Sequence, residues 1–207
     1  SLHMRRTTAL IVLAMTFALI SCTSVKTFEK RAREIIPDPI AYLVDRGLPA
    51  YPSSDITLFN TGREWNVHTL KRIADAKEYI LVTVFLGNIH EVSYEVWDAL
   101  AEKVKEGVDV YVLLDSSSYF QLTPHTSLVV PAAFNYARDI GLKVAEYNPM
   151  SVSHAAFLPL LLDRDHRKIW IFDGEYLAVG GINLNEASLM IPPATGNIDT
   201  MVEIQSQ

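Results

Sequence analysis

The stretch from Asp163 to Asn183, DRDHRKIWIFDGEYLAVGGIN, holds the residues whose types and spacing are best suited to chemistry. His166 and Lys168 lie two apart in a run of strand character, so both side chains leave the same face. An imidazole beside an ammonium can attack an electrophile while neutralising its anionic oxygens. Ile169, Ile171 and Asp173 have the other parity, so that face is expected to pack and to end in a carboxylate at the turn marked by Gly174. Trp170 shares the parity of His166 and Lys168 and is expected to wall the pocket. Beyond the next apolar run, Gly180 and Gly181 let the backbone approach a ligand closely, and Asn183 supplies an amide.

An isolated His-x-Lys is ordinarily a pair of solvated residues on an edge strand. Here the ordered Asp173, Gly180-Gly181 and Asn183 downstream argue for a site. Asp163, Asp165, His166 and Asp173 do not form the regular ligand repeat of a hard-cation loop, and a polar turn is the better reading. Ser116-Ser117-Ser118 lacks the glycines of a nucleophile elbow and is expected to line the site from a loop. His154 reads as a surface or gate residue, and Phe157 to Leu162 as packing beneath the sheet or, more sharply, a contact for acyl chains.

The elements that must position these groups alternate along the chain. Leu70, Ile73 and Ala74 at helical spacing predict a helix over about Trp65 to Lys77. YILVTVF (Tyr79 to Phe85) predicts a strand, and Val96, Trp97, Leu100 and Val104 mark a second helix that Gly107 stops. VDVYVLL (Val108 to Leu114) reads as a buried strand ending in Asp115, followed by a third helix through Phe134, Ala137 and Ile140. Lys143 to Tyr147, Lys168 to Phe172, Tyr176 to Val179 and Met201 to Ile204 are further strands. Trp65 and Trp97 read as core. Strands separated by helices imply crossover units, so the expectation is an α/β fold with a mixed, largely parallel sheet covered by helices on both faces.

The chain has 207 residues, with 49% apolar and 20% charged, which fits one ordinary domain and excludes a disordered tail. Eighteen Lys and Arg against 24 Asp and Glu leave a net charge of -6, the wrong sign for coating a duplex, so a nucleic-acid partner is disfavoured. The single cysteine, Cys22, excludes an intrachain disulfide and a Cys-based zinc site. Arg5-Arg6 followed by an apolar run from Ala9 to Ile20 resembles a secretory signal, shorter than the roughly 20 residues of a spanning helix. Leu19-Ile20-Ser21-Cys22 resembles a bacterial lipobox, which makes Cys22 the expected lipidation site and the chain an exported, membrane-anchored lipoprotein. Residues 1–22 are therefore expected to be a signal peptide (Ser1 to His3 resembling a cloning scar), 23–54 a tether with a short helix around Glu29 to Ile36, and 55–207 the globular part.

His166-x-Lys168-x4-Asp173 followed by Gly180-Gly181-x-Asn183 resembles the HKD motif of the phospholipase D superfamily, above all its cardiolipin-synthase-like branch, as does Arg164 before it. The resemblance extends over Ile73-Ala74-x-Ala76-Lys77, Glu106-Gly107-Val108-x-Val110 and Gly141-Leu142-Lys143-Val144. It implies that His166 forms a phosphohistidine, that Lys168 and Asn183 bind nonbridging oxygens, that Asp199 orients His166, and that Asp173 is structural. It implies no metal and no cofactor, because fixed donors stabilise the transition state. The family builds its site from two such motifs. His68, His90, His125 and His154 have no Lys two residues on, so the missing half is expected in cis, beyond Gln207, or in trans from a second copy. The expected activity is phospholipid hydrolysis or phosphatidyl transfer. A metal-independent exported nuclease and a non-catalytic binder of anionic headgroups are the alternatives.

Overall fold

A computed structural model describes residues 38–49, 51–120, 133–149, 163–189 and 196–206. Two compact units divide at Tyr51 and Pro52. In the first, helix α1 (Pro39–Val44) has Pro39 in its first turn, and Asp38 caps it by accepting from the Ile40 and Ala41 N–H groups. Cys22, the expected signal segment and the helix expected around Glu29 to Ile36 lie outside the described residues, as do His125, His154 and Phe157 to Leu162.

The second unit contains β1 (Ser53–Phe59), α2 (Gly62–Asp75), β2 (Tyr79–Val84), α3 (Glu91–Lys105), β3 (Asp109–Asp115) and a 3-10 turn at Ser116–Phe120. After these come α4 (Ala133–Asp139), β4 (Lys143–Tyr147), β5 (Ile169–Phe172), β6 (Tyr176–Gly180), α5 (Glu186–Leu189) and β7 (Met201–Ser206). Thr61 caps α2 through the Glu64 N–H. His90 and Ser93 close a reciprocal cap on α3, and Gly107 takes a positive φ of 94° just past its end.

The seven strands among the described residues join one sheet in the order β1-β7-β6-β5-β2-β3-β4. β2, β3 and β4 pair in parallel, whereas β2–β5, β5–β6, β6–β7 and β7–β1 are antiparallel. The α/β class agrees with the sequence, but the largely parallel sheet does not: only two of six pairings are parallel, because β5, β6 and β7 form an antiparallel set inserted between β1 and β2.

The expected cover on both faces is also not what the described helices provide. β1, β2, β3 and β4 run in one direction and advance one way along the sheet. Right-handed crossovers that never reverse place α2, α3 and α4 on a single face. There Ile80, Val82, Val84, Val110, Val112, Leu114, Trp170 and Phe172 are buried with Trp65, Val96, Trp97, Leu100 and Phe134 of the helices. On the other face Ile56, Leu58, Leu81, Tyr111 and Leu177 stay exposed. A buried carboxylate, Glu203 on β7, fastens α2 to the sheet. Arg72 donates to it at 2.7 and 3.0 Å, and His68 Nε2 lies 2.9 Å from it.

Candidate active site

Because β2 and β5 are antiparallel, the C-terminal end of β2 meets the residues leading into β5. By the same logic the end of β6 meets the start of β7. Phe85, His166, Lys168, Gly181, Asn183 and Asp199 therefore gather at one edge of the sheet.

Lys168 is buried while His166 is exposed. The Lys168 Nζ lies 3.1 Å from His166 Nδ1 and donates to the His166 carbonyl oxygen at 2.7 Å. The Phe85 ring stands 4.5 Å from the imidazole centroid to centroid, and the Lys168 Nζ is 5.1 Å from the same ring. Burial pushes the Lys168 ammonium below the ordinary lysine range, and the carboxylates of Asp199 and Asp165 pull the other way. Asn183 Oδ1 accepts from the Leu86 N–H at 3.0 Å, which fixes the amide so that its two N–H donors point elsewhere.

Asp199 lies against Gly181, where any Cβ would collide with its carboxylate. Gly181 donates its N–H to the Thr200 carbonyl at 2.9 Å, and Gly180 is packed as tightly on Thr200 and Met201, so both glycines serve close backbone approach. Among the described residues no hydrogen bond joins Asp199 to His166. Its carboxylate accepts from the Thr200 N–H and acts on Lys168 electrostatically.

Asp173 is at the far end of β5. Its carboxylate accepts the backbone N–H groups of Lys77, Glu78 and Tyr79 at 2.8, 2.9 and 2.9 Å. Burial alone would raise its pKa, but these three donors together hold it below the ordinary aspartate value. It clasps the start of β2 and takes no place among the reactive groups.

The face assignment within β5 is the reverse of the expected one. Trp170 does not wall a pocket; it is core, 6.1 Å edge-on from Trp65 and stacked on Phe172, while Ile169 and Ile171 are half-buried. The helix layer covers the parity of Lys168, and His166 and the Lys168 ammonium emerge only where that layer ends at the strand terminus.

Ser116 and Ser118 are buried ties, not open lining residues. Ser118 Oγ accepts from the Gly87 N–H at 3.0 Å and donates to the Phe85 carbonyl at 3.3 Å, while Ser116 Oγ lies 2.7 Å from a Glu146 oxygen. The polar turn before His166 is ordered by charge. Asp115, fully buried, accepts from Arg164 at 3.1 Å and from the Asp165 N–H at 2.8 Å, and Asp165 pairs with Arg167 at 2.6 Å. Among the described residues no cluster of His, Cys, Asp and Glu is suited to holding a metal. Phe85, Leu86 and Asp115 are site elements that their sequence context does not mark. Only the terminal position of Asp115 on an apolar strand hints at its role.

Residues 69–207 match the family described as cardiolipin synthase, PLD-like domain. Cardiolipin synthase 1 of Staphylococcus epidermidis is 28% identical over 155 residues, which is 75% of this chain and 30% of that protein. Its counterpart in Staphylococcus aureus is 30% identical over 151 residues, 71% of this chain and 28% of that protein. The chain thus spans under a third of the length of these relatives. In fold it is similar to the phospholipase D family member Nuc of Salmonella typhimurium, with a TM-score of 0.51 at 21% identity, covering 74% of this chain and 85% of that one. NucT of Helicobacter pylori gives 0.52 at 13% identity, with 73% and 85% covered. With the family match covering most of the globular unit and the His166, Lys168 and Asn183 groups converging on one edge of its sheet, the chain belongs to the cardiolipin-synthase-like, phospholipase D-like domain family.

Proposed function

We propose that this chain supplies one half of a phospholipase D-type active site in an exported enzyme, anchored through an acylated Cys22, that hydrolyses phospholipid or transfers its phosphatidyl group to an alcohol. The observation that carries this reading is the meeting of Lys168 Nζ with His166 Nδ1 at 3.1 Å beside the fixed amide of Asn183.

In the reading, the Nε2 lone pair of His166 attacks phosphorus, the bond from phosphorus to the leaving alcohol oxygen breaks, and a histidine of the second half protonates that oxygen. Water or a second alcohol then attacks the phosphohistidine. The phosphorus–nitrogen bond breaks, and the incoming oxygen gives its proton to the same histidine. Lys168 and the Asn183 N–H groups hold the nonbridging oxygens throughout.

An ammonium facing Nδ1 favours the tautomer that carries its proton on Nε2. Attack needs the opposite one. A bound phosphate drawing Lys168 away from Nδ1 frees that nitrogen to take the proton, with Asp199 as the nearby acid that stabilises it. The second half comes in cis from a longer chain or in trans from another copy.

The experiment supplies phosphatidylglycerol vesicles to the chain joined with its second half, in the presence of chelator, and follows diphosphatidylglycerol, phosphatidic acid and glycerol. The expected result is one or more of these products, all lost on His166→Ala. No product with lipid, together with His166-dependent degradation of plasmid DNA in chelator, overturns the lipid reading in favour of a nuclease. Retained vesicle binding without turnover in any oligomeric state favours a headgroup-binding module.

A further inference from the structure

The segment that follows β2 touches every anion-facing group at this edge. Phe85 presents one ring to both His166 and Lys168, at 4.5 and 5.1 Å. Its neighbour Leu86 donates its N–H to Asn183 Oδ1 at 3.0 Å. The segment is held on both flanks. Ser118 bridges the Phe85 carbonyl and the Gly87 N–H, while Leu86 accepts from the Leu184 N–H at 3.1 Å and Asn88 donates to the Leu184 carbonyl at 3.1 Å. Gly87 faces Leu114 and Trp97, so nothing larger fits beneath the segment without displacing core. A ring held this firmly fixes the tilt of the imidazole lying against it. It also keeps water from one side of the ammonium, whose charge the ring face attracts.

We propose that Phe85 is the positioning residue of the His166–Lys168 pair and that the Leu86 N–H aims the Asn183 amide, so that one tripeptide sets the geometry of all three groups. This rests on the reading that the groups receive a phosphoryl anion. Phe85 itself does not meet the anion; it acts through the two side chains it supports. Leu86 acts through its backbone alone, since a backbone N–H can face only the oxygen of an amide and leaves both amide donors for the ligand. The charged groups that act on Lys168 are Asp199 from the segment before β7 and Asp165 in the turn before it, while His166 lies alongside.

The test uses the full chain, labelled with nitrogen-15, in wild-type, Phe85→Ala, Phe85→Tyr and Val82→Ala forms. Nitrogen-detected titration reads Lys168 Nζ and both His166 ring nitrogens, and phosphorus NMR reads binding of inorganic phosphate. Phe85→Ala is expected to shift the Lys168 midpoint, to shift the His166 nitrogens, and to weaken phosphate about three- to tenfold, the scale of a partly desolvated cation–π contact. Phe85→Tyr, which keeps the ring, is expected to restore all three readings. Val82→Ala, a cavity in the preceding strand β2, should lower thermal stability and leave them alone.

Unchanged titrations and phosphate affinity in Phe85→Ala overturn the proposal, as does an equal response in Val82→Ala. If Phe85→Ala does not fold, Phe85→Leu keeps the apolar bulk without the ring. Shifted His166 nitrogens there support the proposal, and unshifted ones overturn it. A wild-type chain that binds no phosphate counts against the phosphoryl reading, and the Lys168 and His166 titrations then judge Phe85 by themselves.

Discussion

Lys168 Nζ sits 3.1 Å from His166 Nδ1 while donating to the carbonyl of that same histidine at 2.7 Å. A residue two positions downstream thus reaches back over the strand to grip both the ring and the backbone of its partner, in a spot where burial opposes its charge.

The sign of that opposition can be measured. Between the lowered midpoint of Lys168 and the ordinary lysine value, the unfolded chain holds the extra proton, so stability rises with pH across that window and the cost is complete below it. Phosphate binding runs the other way and weakens as pH climbs through the lowered midpoint. Lys168→Met is expected to remove the pH dependence of binding while leaving the melting temperature at neutral pH equal to or above wild type. Thermal melts and phosphate titrations over a pH series check both halves.

Asp173 carries a stability prediction of opposite sign. A carboxylate held below its ordinary value stabilises the fold above the unfolded-state pKa, and that contribution fades as pH falls through the folded one. Asp173→Ala strands three backbone N–H groups and is expected to cost about 1–3 kcal/mol at pH 7, with the difference from wild type shrinking under acid. Denaturant unfolding at several pH values reads this directly.

Asp115 is the buried member of the Arg164 pair and also receives the Asp165 N–H. Asp115→Ala takes the carboxylate from the Arg164 guanidinium, which keeps only the Asn148 carbonyl, and should cost about 3–5 kcal/mol, the penalty of breaking a buried pair from one side. Asp115→Asn keeps an acceptor for the Asp165 N–H and should lose less. Equilibrium unfolding of the two variants ranks them.

Two glycines separate site from scaffold. A Cβ on Gly62 would run into the Ser188 backbone carbonyl, which cannot swing aside, so Gly62→Ala is expected to destabilise the α2–α5 contact and lower the melting temperature sharply. A Cβ on Gly181 meets the carboxylate of Asp199, a side chain that can turn away. Gly181→Ala should therefore keep most of the stability while removing the pull of Asp199 on Lys168, seen as a further drop in the Lys168 midpoint.

The periodic elements were legible because burial follows period: Val96, Trp97 and Leu100 are core as their spacing predicted, and α2, α3, β2, β3 and β4 fall within a few residues of their expected positions. Strand order was not legible, since nothing local in Ser53–Phe59 says that it closes the far edge against β7 or that β5, β6 and β7 separate it from β2. From that one gap came the errors about parallel pairing and the packed face of β5, and the placing of the described helices on one face. The candidate site was legible as the His166, Lys168 and Asn183 pattern. Phe85 was not, because its role depends on a pairing between segments more than 80 residues apart, and an aromatic after an apolar run reads as core.

The hairpin of β5 and β6 turns through Asp173 and Gly174, both at positive φ, and β5 lies with Phe172 opposite Ile80 and Trp170 opposite Val82. A slip of one residue in that alignment would rotate Trp170 and Lys168 out from under the helices and onto the face that the described helices leave uncovered. The Asp173 clasp prevents such a slip by anchoring the hairpin to Lys77, Glu78 and Tyr79, where the chain enters β2. The placing of His166 and Lys168 at one rim of the sheet is thus indexed from the opposite rim, much as the stop at one end of a ruler fixes every mark along it.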